Sequence, residues 1–269
     1  MKEVVAFRGL VWKHYRAHGR HGLPWRKTKD PYRILVSEVM LQQTQVARVI
    51  EKYKEFLKEF PTVHALAKAS LSDVLKIWSG LGYNRRAKYL HDATKQIFEK
   101  HGGKVPRDFA ALCTLPGVGE YTAKAVRTFA FNKPDVLIET NIRSAFIHSF
   151  FAGVPSVNDR EIKEQATKAA KGQNPQEWHW ALMDYGSHLK RSGVRNNSRS
   201  TRYTKQSNFE GSLRQVRGAI LRELHDRSMP ERVLAARPCL AASGHLKKAL
   251  AGLTRDGLIV QERGKWRIT

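Results

Sequence analysis

The run Leu115-Pro116-Gly117-Val118-Gly119 constrains this chain more than any other stretch. It lies between two helix-like runs, Phe109 to Cys113 and Tyr121 to Phe131, and so reads as a tight turn joining two helices. Glycine at 117 and 119 lets backbone N–H groups approach a phosphate with no side chain between them. A helix starting just after Gly119 places its positive dipole end at the same point. A hairpin of this kind grips a nucleic-acid backbone without reading its sequence. A plain helix–helix connection is the other reading of the same residues.

The charge favours the first reading. The chain has 269 residues and a formal net charge of +24, with 48 Lys+Arg against 24 Asp+Glu. That length fits one large or two to three small domains, and that excess points to a polyanionic partner. Nucleic acid is expected rather than a membrane surface, because the basic residues lie beside the hairpin and loop signals. No apolar run approaches the roughly 20 residues of a spanning helix. The first fourteen residues are broken by Arg8 and Lys13, so an amphipathic helix is expected there and not a signal peptide. Cys113 and Cys239 are the two cysteines. They are expected to be small buried apolar residues in a reducing, cytoplasmic compartment, and they cannot form a cysteine-only metal site within one chain.

From Lys2 to Gly186 the pattern is helical. Val4, Val5, Leu10, Val11 and Tyr15 can share one face of the first helix, and Pro31 opens a run expected to continue through Gln45. Gly80-Leu81-Gly82 ends one helix, Gly102-Gly103 another, and Val136 to Glu139 is extended. No strand-rich region is expected before residue 257. Lys190 to Lys205 holds six basic residues and no acid, and is either a solvated linker or a basic strap along a phosphate backbone. Beyond Gly211, three helical segments precede a hairpin turning at Gly264, with Leu246, Leu250 and Leu253 as the buried face of the third helix. That order is winged-helix-like. Such modules contact DNA or other proteins, and this one is expected to add affinity more than base choice.

Two carboxylates stand out. Glu38 is the one acid in the apolar run Ser37-Glu38-Val39-Met40-Leu41-Gln42-Gln43-Thr44-Gln45, which gives it a route to a raised pKa; a partly exposed helix glutamate fits the pattern equally. Glu139 sits where an extended piece enters a helix, where a capping carboxylate would be ordinary. An acid to neutralise a leaving base, and a carboxylate to shield a sugar cation, are what a breaking N-glycosidic bond needs. A base in duplex DNA must also leave the stack first, which calls for a basic cleft bearing a wedge.

Leu23-Pro24-Trp25-Arg26, Ser37 to Val46, Gly80-Leu81-Gly82-Tyr83 and Leu115 to Thr122 resemble the helix-hairpin-helix (HhH-GPD) DNA glycosylases, and among them the MutY-type A/G-specific adenine glycosylases. The resemblance covers about residues 20 to 190. It implies a mostly α, two-domain helical glycosylase fold. The expected division is 24–130 for a six-helix domain with the hairpin, 1–23 plus 131–210 for a second helical domain, and 211–269 for the winged-helix-like segment. It implies that Glu38 protonates the flipped purine, at N7 for adenine. Glu139 falls where the family has its catalytic Asp, and Tyr121 and Asn141 match positions that orient the acids and the sugar. Gln43 and Tyr83 match residues that wedge into the duplex and fill the vacated stack, with help from Leu41. Further DNA contacts are expected from Arg85, Arg86, Gly117, Gly119, Lys124, Arg191, Arg195, Arg199 and Lys205.

Three departures bear on function. The family's Asp is a glutamate, and moving a charge by about 1 Å near a cation can cost roughly 10²-fold in rate. The four-cysteine iron–sulfur loop is missing, and Lys190, Asn197, Ser200 and Gln206 occupy its spacing, so no cofactor is expected. The winged-helix-like segment stands where MutY proteins carry a domain that inspects 8-oxoguanine. Relatives that cut the strand have a Schiff-base lysine where this chain has Tyr121, so monofunctional hydrolysis is implied. The expected partner is double-stranded DNA with a mispair or lesion, bound by a monomer and without a membrane. Adenine opposite guanine or 8-oxoguanine is the leading substrate. A mismatched or modified pyrimidine, and a non-catalytic DNA-binding protein, are the alternatives.

Overall fold

The computed structural model describes residues 2–204, 208–241 and 244–269. The chain is mostly helical, as expected. In order the helices are α1 (Lys2–His18), α2 (Pro31–Leu41), α3 (Val46–Glu59), α4 (Val63–Lys68), α5 (Leu71–Trp78), α6 (Arg85–His101), α7 (Phe109–Cys113) and α8 (Glu120–Phe131). There follow α9 (Thr140–Phe150), α10 (Asp159–Ala170), α11 (Pro175–Arg191), α12 (Leu213–Leu224), α13 (Glu231–Ala235), α14 (Pro238–Ala241) and α15 (Leu246–Arg255). Three strands, β1 (Met229–Pro230), β2 (Ile259–Glu262) and β3 (Lys265–Ile268), complete the described residues. Two compact units result: Met1–Ile34 with Arg107–Ala110 and Val118–Lys205, and Leu35–Pro106 with Ala111–Gly117 and Gln206–Thr269.

In the first unit α1 and α9 pack on α11. The buried face of α1 is Phe7, Val11 and Tyr15, spaced four apart, and Phe7 sits 5.0 Å from both Phe146 and Phe150. Val5 and Leu10, expected on that face, are 65% and 47% exposed. The Phe7–Val11–Tyr15 stripe decides how α1 lies, its two rings burying more area each than Val5 or Leu10 would. Asp184 of α11 accepts from the Arg26 fork at 2.7 and 2.9 Å and from Arg20 Nε at 2.6 Å. Burial alone would raise the Asp184 carboxyl, yet the Arg26 and Arg20 guanidiniums hold it below its usual range. Arg26 of the Leu23–Arg26 signature therefore locks the chain entering α2.

In the second unit α4 and α5 pack on α6, and Trp78 is fully buried. Ser70 caps α5 by accepting from the Asp73 N–H at 3.1 Å. The C-terminal segment belongs to this unit. Helix α12 packs on α15 and β3, and the sheet order is β1-β3-β2, all antiparallel. The hairpin turns at Arg263 and Gly264, both at positive φ (48° and 73°), as a tight hairpin requires. Ala249, Leu250 and Leu253 are the buried face of α15, with Leu246 half-buried. The two-residue β1 is a strand that the sequence pattern does not announce. Both cysteines are exposed, against expectation. Cys113 lies on the solvent side of the last turn of α7, whose buried residue is Leu112, and Cys239 precedes buried Leu240.

Candidate nucleic-acid interface and active site

Helix α2 ends at Leu41, four residues short of the expected Gln45, because the chain turns at Gln43 (φ 53°). Tyr83 adopts the same left-handed conformation (φ 48°) in the loop before α6. Each such non-glycine residue costs about 1–2 kcal/mol, so surrounding structure must hold it there. Arg86 does so for both turns. Its Nη1 donates to the carbonyls of Val39 (2.7 Å) and Met40 (3.0 Å) at the end of α2. Its Nη2 donates to Thr44 Oγ1 (3.0 Å) and to the carbonyls of Leu81 (3.3 Å) and Gly82 (3.1 Å). The guanidinium lies over the Trp78 and Tyr83 rings. Burial lowers its pKa to about 10, which leaves it charged at neutral pH. Arg86 was expected to meet phosphate; instead it satisfies carbonyls that a helix end and a loop leave orphaned. It ties the Gln43 turn to the Tyr83 turn. Gln43 itself is exposed, while Leu41 is half-buried.

Glu38 lies in the middle of α2 among Leu35, Val36, Val39 and Met40 and is 9% exposed. The buried alternative of the two sequence readings is therefore the one realised. Glu139 is the N-cap of α9. Its Oε1 accepts from the N–H groups of Asn141 and Ile142, both at 2.8 Å, and its Oε2 accepts from Asn141 Nδ2 at 3.1 Å. Desolvation raises the Glu139 carboxyl; the two backbone N–H bonds and the Arg143 and Arg20 charges work against that rise. Asn141 is thus both fixed by Glu139 and able to fix it. A further residue, silent in the sequence, places this corner. Gly186 of α11 packs so closely that a Cβ would stand 1.9 Å from the Asn141 carbonyl oxygen. No turn or motif marks Gly186, since a mid-helix glycine reads only as a weak helix former. Tyr121 is in the first turn of α8 and half-buried.

In the hairpin, Leu115 and Val118 are buried while Gly117 and Gly119 are exposed. Gly117 has φ 73°, and a Cβ there would lie 2.6 Å from Tyr89 Cβ, so only glycine fits. Gly119 is the N-cap of α8 with an ordinary φ of −83°, and its backbone is open. The expected cations divide. Arg191 and Arg195 are exposed. Lys124 is ion-paired with Glu120, and Arg85 with Asp256 at 3.4 Å. Arg199 donates to the carbonyls of Val154 (Nε, 2.7 Å) and Phe151, which turns it inward, away from the role of phosphate contact. Lys205 lies outside the described residues.

The loop that would hold an iron–sulfur cluster in relatives does not fit one. Lys190 offers a cation, Asn197 an amide and Ser200 a buried hydroxyl, and none is a thiolate; Gln206 lies outside the described residues. The loop is clasped by protein instead. The Val157 N–H donates to Arg199 O at 2.8 Å, Thr201 N–H donates to Val157 O at 3.1 Å, and the Arg199 guanidinium closes the far side.

The profile of the HhH-GPD superfamily base excision DNA repair proteins matches residues 36–175. The adenine DNA glycosylase of Mycolicibacterium smegmatis is 33% identical over 262 residues, 91% of this chain and 89% of the relative. The chain belongs to the HhH-GPD superfamily. The adenine DNA glycosylase of Mycobacterium tuberculosis is 40% identical over 183 residues, 66% of this chain and 59% of the relative. That of Buchnera aphidicola from Baizongia pistaciae is 35% identical over 182 residues, 66% of this chain. This HhH-GPD chain spans 50 and 59% of the length of the Buchnera and M. tuberculosis proteins. A thermostable thymine-DNA glycosylase superposes with TM-score 0.63 at 29% identity, over 69% of this chain and 87% of its own. An endonuclease III in a non-covalent DNA complex, 19% identical, shares the fold with TM-score 0.54 over 93% of this chain and 98% of its own.

Sequence reasoning missed Gly186, the inward role of Arg86, and two residues beside Tyr83. Arg214 Nη1 donates to Tyr83 Oη at 2.8 Å, and the guanidinium lies over the Tyr83 and Phe209 rings. These residues are 131 positions apart in sequence, so no local pattern could join them.

Proposed function

We propose that this protein is a monofunctional DNA N-glycosylase of base excision repair that removes adenine mispaired with guanine or 8-oxoguanine in duplex DNA. The observation that carries the reading is Glu38, a carboxyl buried in the apolar stretch of α2, in a chain 33% identical to an adenine DNA glycosylase. Its protonated form would hand a proton to the leaving base as the C1′–N bond breaks. Water then adds to C1′ and leaves an abasic site, with its proton going to solvent. Glu139 would shield the cationic sugar, its carboxylate aimed by the α9 N-terminus and Asn141. Gln43 and Tyr83 would enter the duplex, and their strained turns, tied by Arg86, make them a stiff wedge. The open Gly117 and Gly119 backbone, with Arg191 and Arg195, would hold phosphates without regard to sequence.

The test is a panel of duplexes carrying A opposite G, 8-oxoguanine and C, and T or U opposite G, incubated with the protein and read after hot alkali. Cleavage of the adenine strand is expected. Cleavage confined to T or U would transfer the assignment to the thymine-type relatives, and binding with no cleavage anywhere would leave a non-catalytic DNA-binding protein. Without alkali the strand should stay intact, because Tyr121 has no amine for an imine. Efficient borohydride trapping on DNA would refute the monofunctional reading.

A further inference from the structure

Helix α9 begins at Thr140, and residues 132–139 link it to the end of α8. This link carries Glu139 and belongs to no helix or strand, so no backbone ladder fixes it. Side chains pin it instead. Near its start, the Asp135 carboxylate accepts from Arg127 Nε of α8 at 2.7 Å. Two residues before Glu139, the Leu137 N–H donates to His179 Nε2 of α11 at 3.1 Å. Leu137 and His179 are 1% and 2% exposed, so water cannot stand in for either partner.

That bond defines the state of the imidazole. A backbone N–H can only donate, so Nε2 accepts and bears no hydrogen. The ring hydrogen is then on Nδ1, which donates to the Pro175 carbonyl at 2.6 Å. Burial lowers the His179 pKa to about 4, against the pull of the Pro175 carbonyl and the Asp135 charge, so the acceptor persists at neutral pH. A histidine that only filled the core would need no partner on another segment, whereas this one meets a buried donor 42 positions away. Helix α11 also carries Gly186, seven residues further on and therefore on the same face, where Asn141 packs on it. One face of α11 thus holds the chain on both sides of Glu139, at Leu137 through an imidazole and at Asn141 through a missing Cβ.

We infer that His179 is a positioning residue for Glu139: its neutral imidazole, with hydrogen on Nδ1, holds the Leu137 backbone and so sets where the carboxylate stands. The inference rests on the reading that Glu139 shields the sugar cation. A shift of about 1 Å in that charge can cost roughly 10²-fold in rate, so a bond that fixes the link is a lever on the chemistry. His179 itself acts on neither base nor sugar; it acts through Glu139.

The experiment compares the full chain as wild type, His179→Gln and His179→Leu, each shown folded by a melting curve. Glutamine carries Oε1 as many bonds from Cβ as histidine carries Nε2, and keeps an acceptor for Leu137; leucine keeps bulk and has none. Long-range proton–nitrogen NMR spectra of histidine-labelled wild type at neutral pH should show His179, identified by its loss in the glutamine variant, with hydrogen on Nδ1 and none on Nε2. Exchange of the Leu137 amide hydrogen should be faster by on the order of tenfold in His179→Leu and near wild type in His179→Gln. Single-turnover base release should fall on the order of 10²-fold in His179→Leu at unchanged DNA affinity, and His179→Gln should recover most of it. Hydrogen on Nε2 would overturn the inference. So would equal rates in all three proteins, or an equal loss in both variants. Should the leucine variant not fold, the wild-type spectrum and the rate and exchange of His179→Gln decide. A wild type that releases no base would sink the glycosylase reading, while the tautomer and the Leu137 exchange would still decide whether His179 holds the link.

Discussion

Replacing Arg86 by lysine probes the connection between the two wedge turns. The guanidinium serves four backbone carbonyls and the Thr44 hydroxyl, in two groups, one at Nη1 and one at Nη2. An ammonium is a point donor and reaches one group or the other. At least two buried carbonyls then lose their partner, and each such loss costs about 1–3 kcal/mol. Loss of stacking over Trp78 and Tyr83 adds roughly 0.5–1 kcal/mol. The total, about 2.5–7 kcal/mol, is a large part of the roughly 5–15 kcal/mol that stabilises a folded protein. Calorimetry or circular dichroism should show a melting temperature lower by on the order of 10 °C. The functional effect should exceed the stability effect. At a temperature where the variant remains folded, single-turnover base release should fall more than tenfold, because Gln43 and Tyr83 lose their shared anchor. A variant that melts within about 2 °C of wild type and releases base at the same rate would refute the anchoring argument.

Other outcomes follow from the same geometry. Glu38→Gln should abolish base release with DNA affinity nearly unchanged, since the amide keeps the shape and loses the proton; gel-shift and alkali assays on one mispair would check both. Glu139→Asp should raise the rate of base release if the extra methylene displaces the charge, by up to about 10²-fold. The folded Glu139 carboxyl is raised by desolvation, so its stability contribution is full below its unfolded value and is lost as pH rises through the folded value. Glu139→Gln should abolish that loss of stability with rising pH. Because only the ionised carboxylate shields a sugar cation, the acid limb of the rate profile should lie above the ordinary carboxylate range. Purified protein should be colourless and contain no stoichiometric iron by elemental analysis, because the chain's two cysteines, Cys113 and Cys239, both lie outside the Lys190–Lys205 loop and cannot ligate a four-iron cluster. A brown protein with about four iron atoms would overturn the account of that loop.

Much of the site was legible because its residues lie in short local runs. The Leu115–Gly119 hairpin could be read from two glycines and their helical flanks, and its buried Leu115 and Val118 follow the same logic. The hairpin at Gly264 and the helix order before it were equally local. What escaped the sequence is long-range. The Arg86 side chain was read by its charge, which says nothing about whether it turns to solvent or to carbonyls 46 residues away. The end of α2 at Leu41 was misplaced for the same reason. Gln42 to Gln45 are adequate helix formers, and the turn at Gln43, with the Arg86 bonds to Val39, Met40 and Thr44, stops the helix.

Glu139 shows how the two kinds of information combine. The sequence allowed a capping carboxylate or a catalytic one, as if these excluded each other. In the structure Oε1 takes the two N–H groups of the α9 first turn, while Oε2 accepts from Asn141 alone. A cap uses one oxygen and leaves the other with lone pairs to spare. The cap also fixes the carboxylate plane, which an unanchored glutamate with its extra torsion could not do. The longer side chain is thereby compensated in orientation, though its reach still differs from that of aspartate. Gly186 sets that reach from the other side. With a Cβ excluded 1.9 Å from the Asn141 carbonyl oxygen, α11 packs directly against the first turn of α9, whose Asn141 holds Glu139. The position of the negative charge thus depends on a glycine 47 residues downstream as much as on the glutamate itself.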